Sequence, residues 1–450
     1  MVFVIPTYVI KPTVIIAFLI SSQWLYAQLN DSVPQKPTQD KIKKGWNFGV
    51  LPVLAFDTDL GFKYGGLTNL YYYGDGSIYP RYKHSLYFEW TRTTKGGGVN
   101  QFIYDSEYLI PKIRVTAEAS LLTEKTLDFY GFNGYEAYYN PGYADPDEAA
   151  YISRVFYKYD RKLTRLKLDL QGNIRGRELR WFAGFTHFNN KVQTVDIDHL
   201  NKGKSGSDIL PDTALLYDNF VEWGIIPNDQ KSGGITNMLT LGVVYDTRDN
   251  EPNPMKGIWS EVLLLSCPSF LGSDVGYNKI SLTHRQYFTL KKEMLNFAYR
   301  LSYQARISGT VPFYMLPYVY DSKQMRDGLG GAKTIRGILR NRIVGEDFIF
   351  GNAELRWKFM KRTIINQNFY FALMCFTDFG KVTKGYKMNT SNPETIAYLA
   401  KGSEESLHVS YGGGLFIVMN QNFVMAATYG MAANKKDGNN GLYLGLDFLF

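Results

Sequence analysis

"AELRWKF", residues 353–359, sets Ala353, Leu355, Trp357 and Phe359 against Glu354, Arg356 and Lys358. Side chains leave a strand alternately by its two faces, so this stretch is a strand with one apolar and one ionic face. The same period of two recurs along the chain. "LKLDL" puts Leu166, Leu168 and Leu170 opposite Lys167 and Asp169, and "FAYRLSYQAR" puts Phe297, Tyr299, Leu301 and Tyr303 opposite Arg300, Ser302, Gln304 and Arg306. At the C-terminus, "LYLGLDFLF" puts Leu442, Leu444, Leu446, Phe448 and Phe450 opposite Tyr443, Gly445 and Asp447. A soluble sandwich alternates too, with its apolar side inward, so the period alone leaves two architectures open.

Strand and turn lengths separate them. Strands are predicted near 46–57, 60–73, 81–93, 99–109, 113–124, 156–171, 175–190, 235–247, 257–267, 276–290, 294–308, 347–360, 367–380, 407–419, 422–433 and 439–450, about sixteen and thus an even number. The tight connections "IPKI", "QGNI" and "LKKEM" fall on one side, taken as periplasmic together with both chain ends. The long insertions near 125–155, 191–234, 309–346 and 381–406 fall on the other. Short turns at one end and long loops at the other mark a transmembrane barrel. In hydrocarbon every backbone amide needs a partner, and among sheets only a closed one supplies it. The expected fold is therefore all-β, a transmembrane antiparallel β-barrel of about sixteen strands.

Composition agrees and excludes other classes. Aromatic residues make up 16% of the chain, with 34 tyrosines, and hydrophobic residues only 45%. Tyr71, Tyr72, Tyr73, Tyr287, Phe288, Tyr318 and Tyr320 are candidates for girdles at the membrane interfaces. After the first thirty residues no apolar run is long enough for a membrane helix. The formal charge of +8 comes from 50 basic and 42 acidic residues spread along the chain without a basic helix, which argues against nucleic acid. Cys267 and Cys375 are far apart and form no disulfide framework. His84, His187, His199, His284 and His408 are dispersed, with no Ser-centred elbow or metal-spaced cluster near them. "DTRDNEP" resembles a calcium loop but lacks its ligand spacing and central Gly. No enzymatic activity, metal or cofactor is expected.

Lys11 precedes an apolar run from Val14 to Ile20, and Ala27 offers a cleavage point, so residues 1–27 read as a signal peptide. Residues 28–45 are polar, with Pro34 and Pro37, and read as an exposed periplasmic linker. The barrel occupies 46–450.

Six features then follow in one order: "YDTRDNEPNPMKG" (245–257), "GLGGAKTIRGILRN" (328–341), "GNAELRW" (351–357), "FTDFGKV" (376–382), "YGGGLFIVMNQN" (411–422) and the terminal Phe450. Together they resemble the BamA/TamA family of outer-membrane assembly barrels, also called the bacterial surface antigen family. The resemblance covers about 235–450, and the first half agrees in strand pattern. It implies an outer-membrane location and a long sixth extracellular loop whose aliphatic-Arg-Gly-aromatic tip folds into the lumen. It also implies a weak seam between first and last strands that opens sideways to insert or translocate client polypeptides, or lipids. This chain departs from the family at Ile338, where an aromatic is usual. It also departs in residues 28–45, which leave no room for the POTRA domains that precede the barrel in assembly members. A separate periplasmic partner would then have to capture clients. The alternative is a passive pore or surface scaffold without insertase activity. Outer-membrane lipids are partners in either case.

A guanidinium inside a narrow lumen stays charged and needs a fixed carboxylate. Ala372, Met374, Phe376 and Asp378 share one parity in "FYFALMCFTDFG", which puts Asp378 on the less lipid-compatible face, as Glu354 is on the preceding strand. The expected lumen latch is Arg336 paired with Asp378, supported by Glu354, with Gly337 letting the tip approach the wall. Lys333, Arg340 and Arg342 are expected to face lumen water, loops or headgroups. Phe448 and Phe450 read as the signal by which the chain is itself inserted.

Overall fold

The computed structural model describes Phe3–Ile5 and residues 41–57, 61–365, 367–446 and 448–450. The leader and linker expectations therefore lie outside the described residues, apart from Phe3–Ile5 and 41–45. Sixteen antiparallel strands run in sequence order. They are β1 (Trp46–Asp57), β2 (Gly61–Tyr72), β3 (His84–Thr93), β4 (Gly98–Ile110), β5 (Ile113–Asp128), β6 (Lys158–Arg175), β7 (Leu179–Gln193) and β8 (Gly233–Asp246). Then come β9 (Gly257–Cys267), β10 (Tyr277–Lys291), β11 (Leu295–Gly309), β12 (Asp347–Ile364), β13 (Gln367–Lys384), β14 (His408–Met419), β15 (Phe423–Ala432) and β16 (Asn440–Leu446).

Each strand pairs with the next, from β1–β2 to β15–β16. The sheet curls until its ends meet: Val53 of β1 and Leu67 of β2 pack with Phe423 of β15 and Leu446 of β16. Among the described residues no register joins β1 to β16. The backbone of Phe3–Ile5 lies antiparallel on Leu442–Leu444 at the outer edge of β16.

Burial is inverted relative to a soluble protein. Leu166, Leu241 (59% exposed), Leu264, Trp357 and Leu373 point outward, whereas Arg285, Arg300, Glu354 and Asp378 are buried inside. The apolar face of each strand thus meets lipid, and the ionic face lines the lumen. Leu241→Arg on β8 is expected to destabilise the barrel in bilayers by about 2–4 kcal/mol, because it puts a cation on the lipid face. Denaturant titration of the vesicle-embedded protein measures it; an unchanged midpoint would place β8 elsewhere.

Most connections at one end are tight turns, with longer ones at 73–83 and 247–256, and long loops close the other end. Residues 129–157, 194–232 and 385–407 form an aromatic cap in which Phe129 meets Phe220 (5.2 Å), Phe132 meets Tyr386 (4.7 Å) and Trp223 meets Tyr398 (5.6 Å). Three expectations need correction. "QGNI" lies within the end of β6, and the chain reverses later, at 176–178. Tyr71, Tyr73, Tyr287, Tyr318 and Tyr320 are buried rather than girdling, because lumen and loop interiors also need large aromatics; Phe288 is outward. The final strand ends at Leu446: Leu446, Phe448 and Phe450 are buried, whereas Leu444 still faces out. Phe448 stacks on Phe416 (4.5 Å), and Phe450 lies near Tyr287 (6.3 Å) with the Arg356 guanidinium 5.2 Å from its ring. The chain end therefore turns into the lumen instead of continuing along the lipid.

Candidate functional site in the lumen

The sixth loop, residues 310–346, packs its two ends against the cap, where Phe313 meets Tyr217 (6.3 Å) and Asn133 N–H donates to the Val344 carbonyl (2.6 Å), and its middle descends into the barrel. A short hairpin, Tyr318–Tyr320 with Met325–Asp327, carries it inward. Leu329 and Ile343 then bridge, and Gly331 N–H donates to the Ile338 carbonyl (2.8 Å), pinching off a narrow tip. Thr334 fixes the tip from within by donating its hydroxyl to the carbonyls of Gly328 (2.9 Å) and Gly330 (3.0 Å). The aliphatic side of the tip, Ile335 and Ile338, packs with Phe348, Phe350 and Val382 of the wall. Ile338 thus fills an apolar niche in place of the usual aromatic.

Arg336 sits at the end. Its Nε and Nη2 donate to the two oxygens of Asp378 at 2.9 and 2.8 Å, and its backbone N–H donates to Asp378 Oδ2 at 2.9 Å. Nη1 lies 2.7 Å from Glu354 Oε1, and the Phe376 ring lies 3.6 Å from the guanidinium carbon. Glu354 is shared with Arg356, whose Nε donates to it at 2.7 Å. Two guanidiniums therefore face two carboxylates, all of them 2% exposed or less. The group is neutral, and such a forked, charge-assisted geometry is what makes a buried pair tolerable. The sheet register explains the convergence: Asp378 on β13 is opposite Asn352 on β12, and Glu354 is opposite Phe376, so the two acids lie diagonally on one face.

Several members of this site were not singled out from the sequence. Asn352 donates to the Thr334 carbonyl (2.7 Å) and accepts from Arg300 Nε (2.8 Å). Gly337 N–H donates to the Tyr443 hydroxyl of β16 at 2.8 Å, which ties the tip to the last strand. Gly337, at φ +86°, lies so close to β15 that a Cβ there would be 2.6 Å from Met431 N and 2.7 Å from the Gly430 carbonyl carbon. A strand-lining Tyr and a strand Gly carry no local sign that a loop from far upstream will land on them.

Two further anchors hold the loop. Asp321 pairs with Arg285 of β10 (2.6 Å) and with Arg326. Asp327 pairs with Arg161 of β6 (2.8 Å) and Arg340 (2.7 Å), and both arginines also reach Glu124 of β5. Arg342 is buried and donates to carbonyls of the loops, at Gly134 (2.7 Å) and Lys436 (2.9 Å). Loop six is thus fastened to β5–β6, β10 and β12–β13 around the circumference.

The molecule is thus a sixteen-stranded sheet with lipid-facing aliphatics, an ionic lumen and an inward sixth loop. A model of the Omp85 superfamily domain matches residues 129–448. The chain belongs to the Omp85 superfamily. Its place is the bacterial outer membrane. No curated protein matches it. Among solved structures it is similar to BamA from Haemophilus ducreyi lacking POTRA domains 1-3, with TM-score 0.50 and 14% identity over 96% of this chain and 78% of that one. It is also similar to CdiB from Escherichia coli, with TM-score 0.53 and 10% identity over 93% of this chain. The chain spans 64% of CdiB, under two thirds of its length. At these identities the likeness concerns the fold.

Proposed function

We propose that this Omp85 barrel inserts or translocates polypeptides at the outer membrane by opening sideways between β1 and β16, with no covalent chemistry of its own. The observation that carries this reading is the seam. All other neighbouring strands share a register, but β1 and β16 meet only through a cluster of Val53 and Leu446 with Leu67 of β2 and Phe423 of β15, with no register between them among the described residues. β16 has only 7 residues against 18 in β12 and β13. The edge of β16 already carries the backbone of Phe3–Ile5 on Leu442–Leu444, and an edge that takes one strand is a template for another, so a client strand could pair there while its apolar face enters lipid. The bond from Gly337 to Tyr443 ties the docked loop to this seam. The Arg336 group then acts as the latch that keeps the tip against β13, β15 and β16. A passive pore would need a clear lumen, whereas loop six crosses this one. Clients, lipids around the seam and a separate periplasmic partner at the short-turn end are the partners proposed.

Stapling the seam tests the reading. In a Cys375→Ser background, Val53→Cys with Leu446→Cys should, when oxidised, deplete other barrel proteins from the outer membrane, and reduction should restore them. An unchanged outer-membrane proteome with altered small-solute permeability would favour the pore instead.

A further inference from the structure

The connection between β8 and β9, residues 247–256, is, with 73–83, one of two long connections at the short-turn end, and it folds back into the mouth of the barrel. Asn250 and Asn253 are buried, and Asn253 N–H donates to Asn250 Oδ1 (3.0 Å). Asp249 accepts from the backbone of Met255 at 3.0 Å, and Asn296 of β11 donates to the Pro254 carbonyl at 3.2 Å. The root is stiffened by Arg248, which forks onto Asp246 (2.9 and 3.1 Å), donates to the Glu251 carbonyl (3.2 Å) and lies 4.2 Å from the Trp259 ring.

At the inner tip Glu251 meets Arg114 of β5, whose Nη1 and Nη2 donate to its two oxygens at 2.6 and 2.9 Å. Arg114 is itself held by Asp105 of β4 at 2.9 and 2.7 Å, and Asp105 accepts from Tyr82 (2.9 Å) and Thr116 (2.6 Å). Burial alone would raise the Glu251 carboxyl, but Arg114, Arg248 and Arg180 more than offset this and hold it well below the ordinary carboxylate range. The contact is therefore ionised at neutral pH.

Two cavities meet here. One of about 360 Å³ lies in the lumen between loop six and the β2–β6 wall, and reaches Leu446 at the seam. The other, about 690 Å³, opens at the short-turn end among Lys112, Arg177, Glu178 and Arg180. Arg114, Gln171 and Glu251 line both, so they stand between the two. Gln171 Oε1 is buried there without a hydrogen-bond partner among the described residues.

We propose that the 247–256 turn is a gate, closed by Glu251 on Arg114, that controls access from the short-turn end to the lumen cavity. Its opening requires that the Glu251–Arg114 pair separate and that the inner tip swing away, while the bonds of Asn296 to the Pro254 carbonyl and of Thr289 to the Met255 carbonyl (3.0 Å) hold the far limb as a hinge. The gate is independent of what the seam does with clients. Small hydrated solutes and ions entering from the short-turn end are what it would admit.

The test places a reporter thiol in the cavity, Gln101→Cys, and follows its modification by a charged, membrane-impermeant thiosulfonate in the purified barrel. Against this parent, Glu251→Gln keeps the shape but loses the charge, and Glu251→Asp keeps the charge but loses the reach. Both should raise the labelling rate roughly tenfold, while the folded electrophoretic form persists. Should Glu251→Gln fail to fold, the Glu251→Asp comparison remains. Equal rates in parent and variants, or a parent thiol that already reacts as fast as a fully exposed one, would overturn the proposal.

Discussion

Arg336→Ala is expected to lower the unfolding free energy of the barrel by about 3–5 kcal/mol and to free the tip of loop six for proteolysis within residues 328–343. The size follows from what is left behind. Asp378 is fully buried and Glu354 is 1% exposed, and without Arg336 they share one remaining guanidinium, that of Arg356. A carboxylate stranded in this way costs far more than the pair was worth, because its desolvation is no longer offset. The substitution also opens a void against the Phe376 ring. Arg336→Lys should lose less but still be clearly destabilised: an ammonium can sit near both acids but cannot fork onto Asp378 while reaching Glu354. Equilibrium unfolding in bilayers and limited proteolysis read the two effects separately.

Gly337→Ala should be nearly as damaging although it deletes nothing. At φ +86° an L-residue is strained by about 1–2 kcal/mol before contacts are considered. The added carbon would also lie 2.6–2.9 Å from backbone atoms of Gly430 and Met431, which belong to a hydrogen-bonded strand and cannot step aside. The tip must then lift from β15, which breaks the bond to Tyr443 and shifts the Arg336 fork. The total is bounded by the cost of undocking, about 3–5 kcal/mol. Gly430→Ala on the facing strand should reproduce much of this, since its Cβ would sit 2.8 Å from Gly337 N. Normal stability in both variants would mean that the tip stands off the wall.

The strands were legible because lipid outside and ions within impose a period of two that few residues break. In "AELRWKF" the parity read from sequence separates Trp357, 46% exposed, from Glu354, 1% exposed, and β12 begins at Asp347 as expected. The acids of the lumen site could be named for the same reason, since Asp378 is on the wrong face for lipid, whereas the inward course of the Arg336 loop was implied by the family resemblance of "GLGGAKTIRGILRN". What alternation cannot show is which kind of apolar surroundings a residue enters. Phe448 and Phe450 continue the outward parity of Leu444, yet they turn inward, because an aromatic stack on Phe416 and the guanidinium of Arg356 compete successfully with hydrocarbon. Tyr318 and Tyr320 likewise look like interface residues and prove to be loop interior. Contacts such as Gly337 with Tyr443, 106 residues apart, are set by closure of the whole sheet and have no local signature. The Glu251–Arg114 pair, 137 residues apart, is equally invisible in the chain.

The most direct measurement is a double-mutant cycle on Arg336→Ala and Asp378→Ala, scored by unfolding free energy in bilayers. If loop six is pinned in the lumen by this pair, the two losses should fall short of additivity by about 2 kcal/mol or more, since the second substitution removes a partner already gone. Losses that add to within about 0.5 kcal/mol would show that the two residues do not hold one another, and the latch would have to be abandoned.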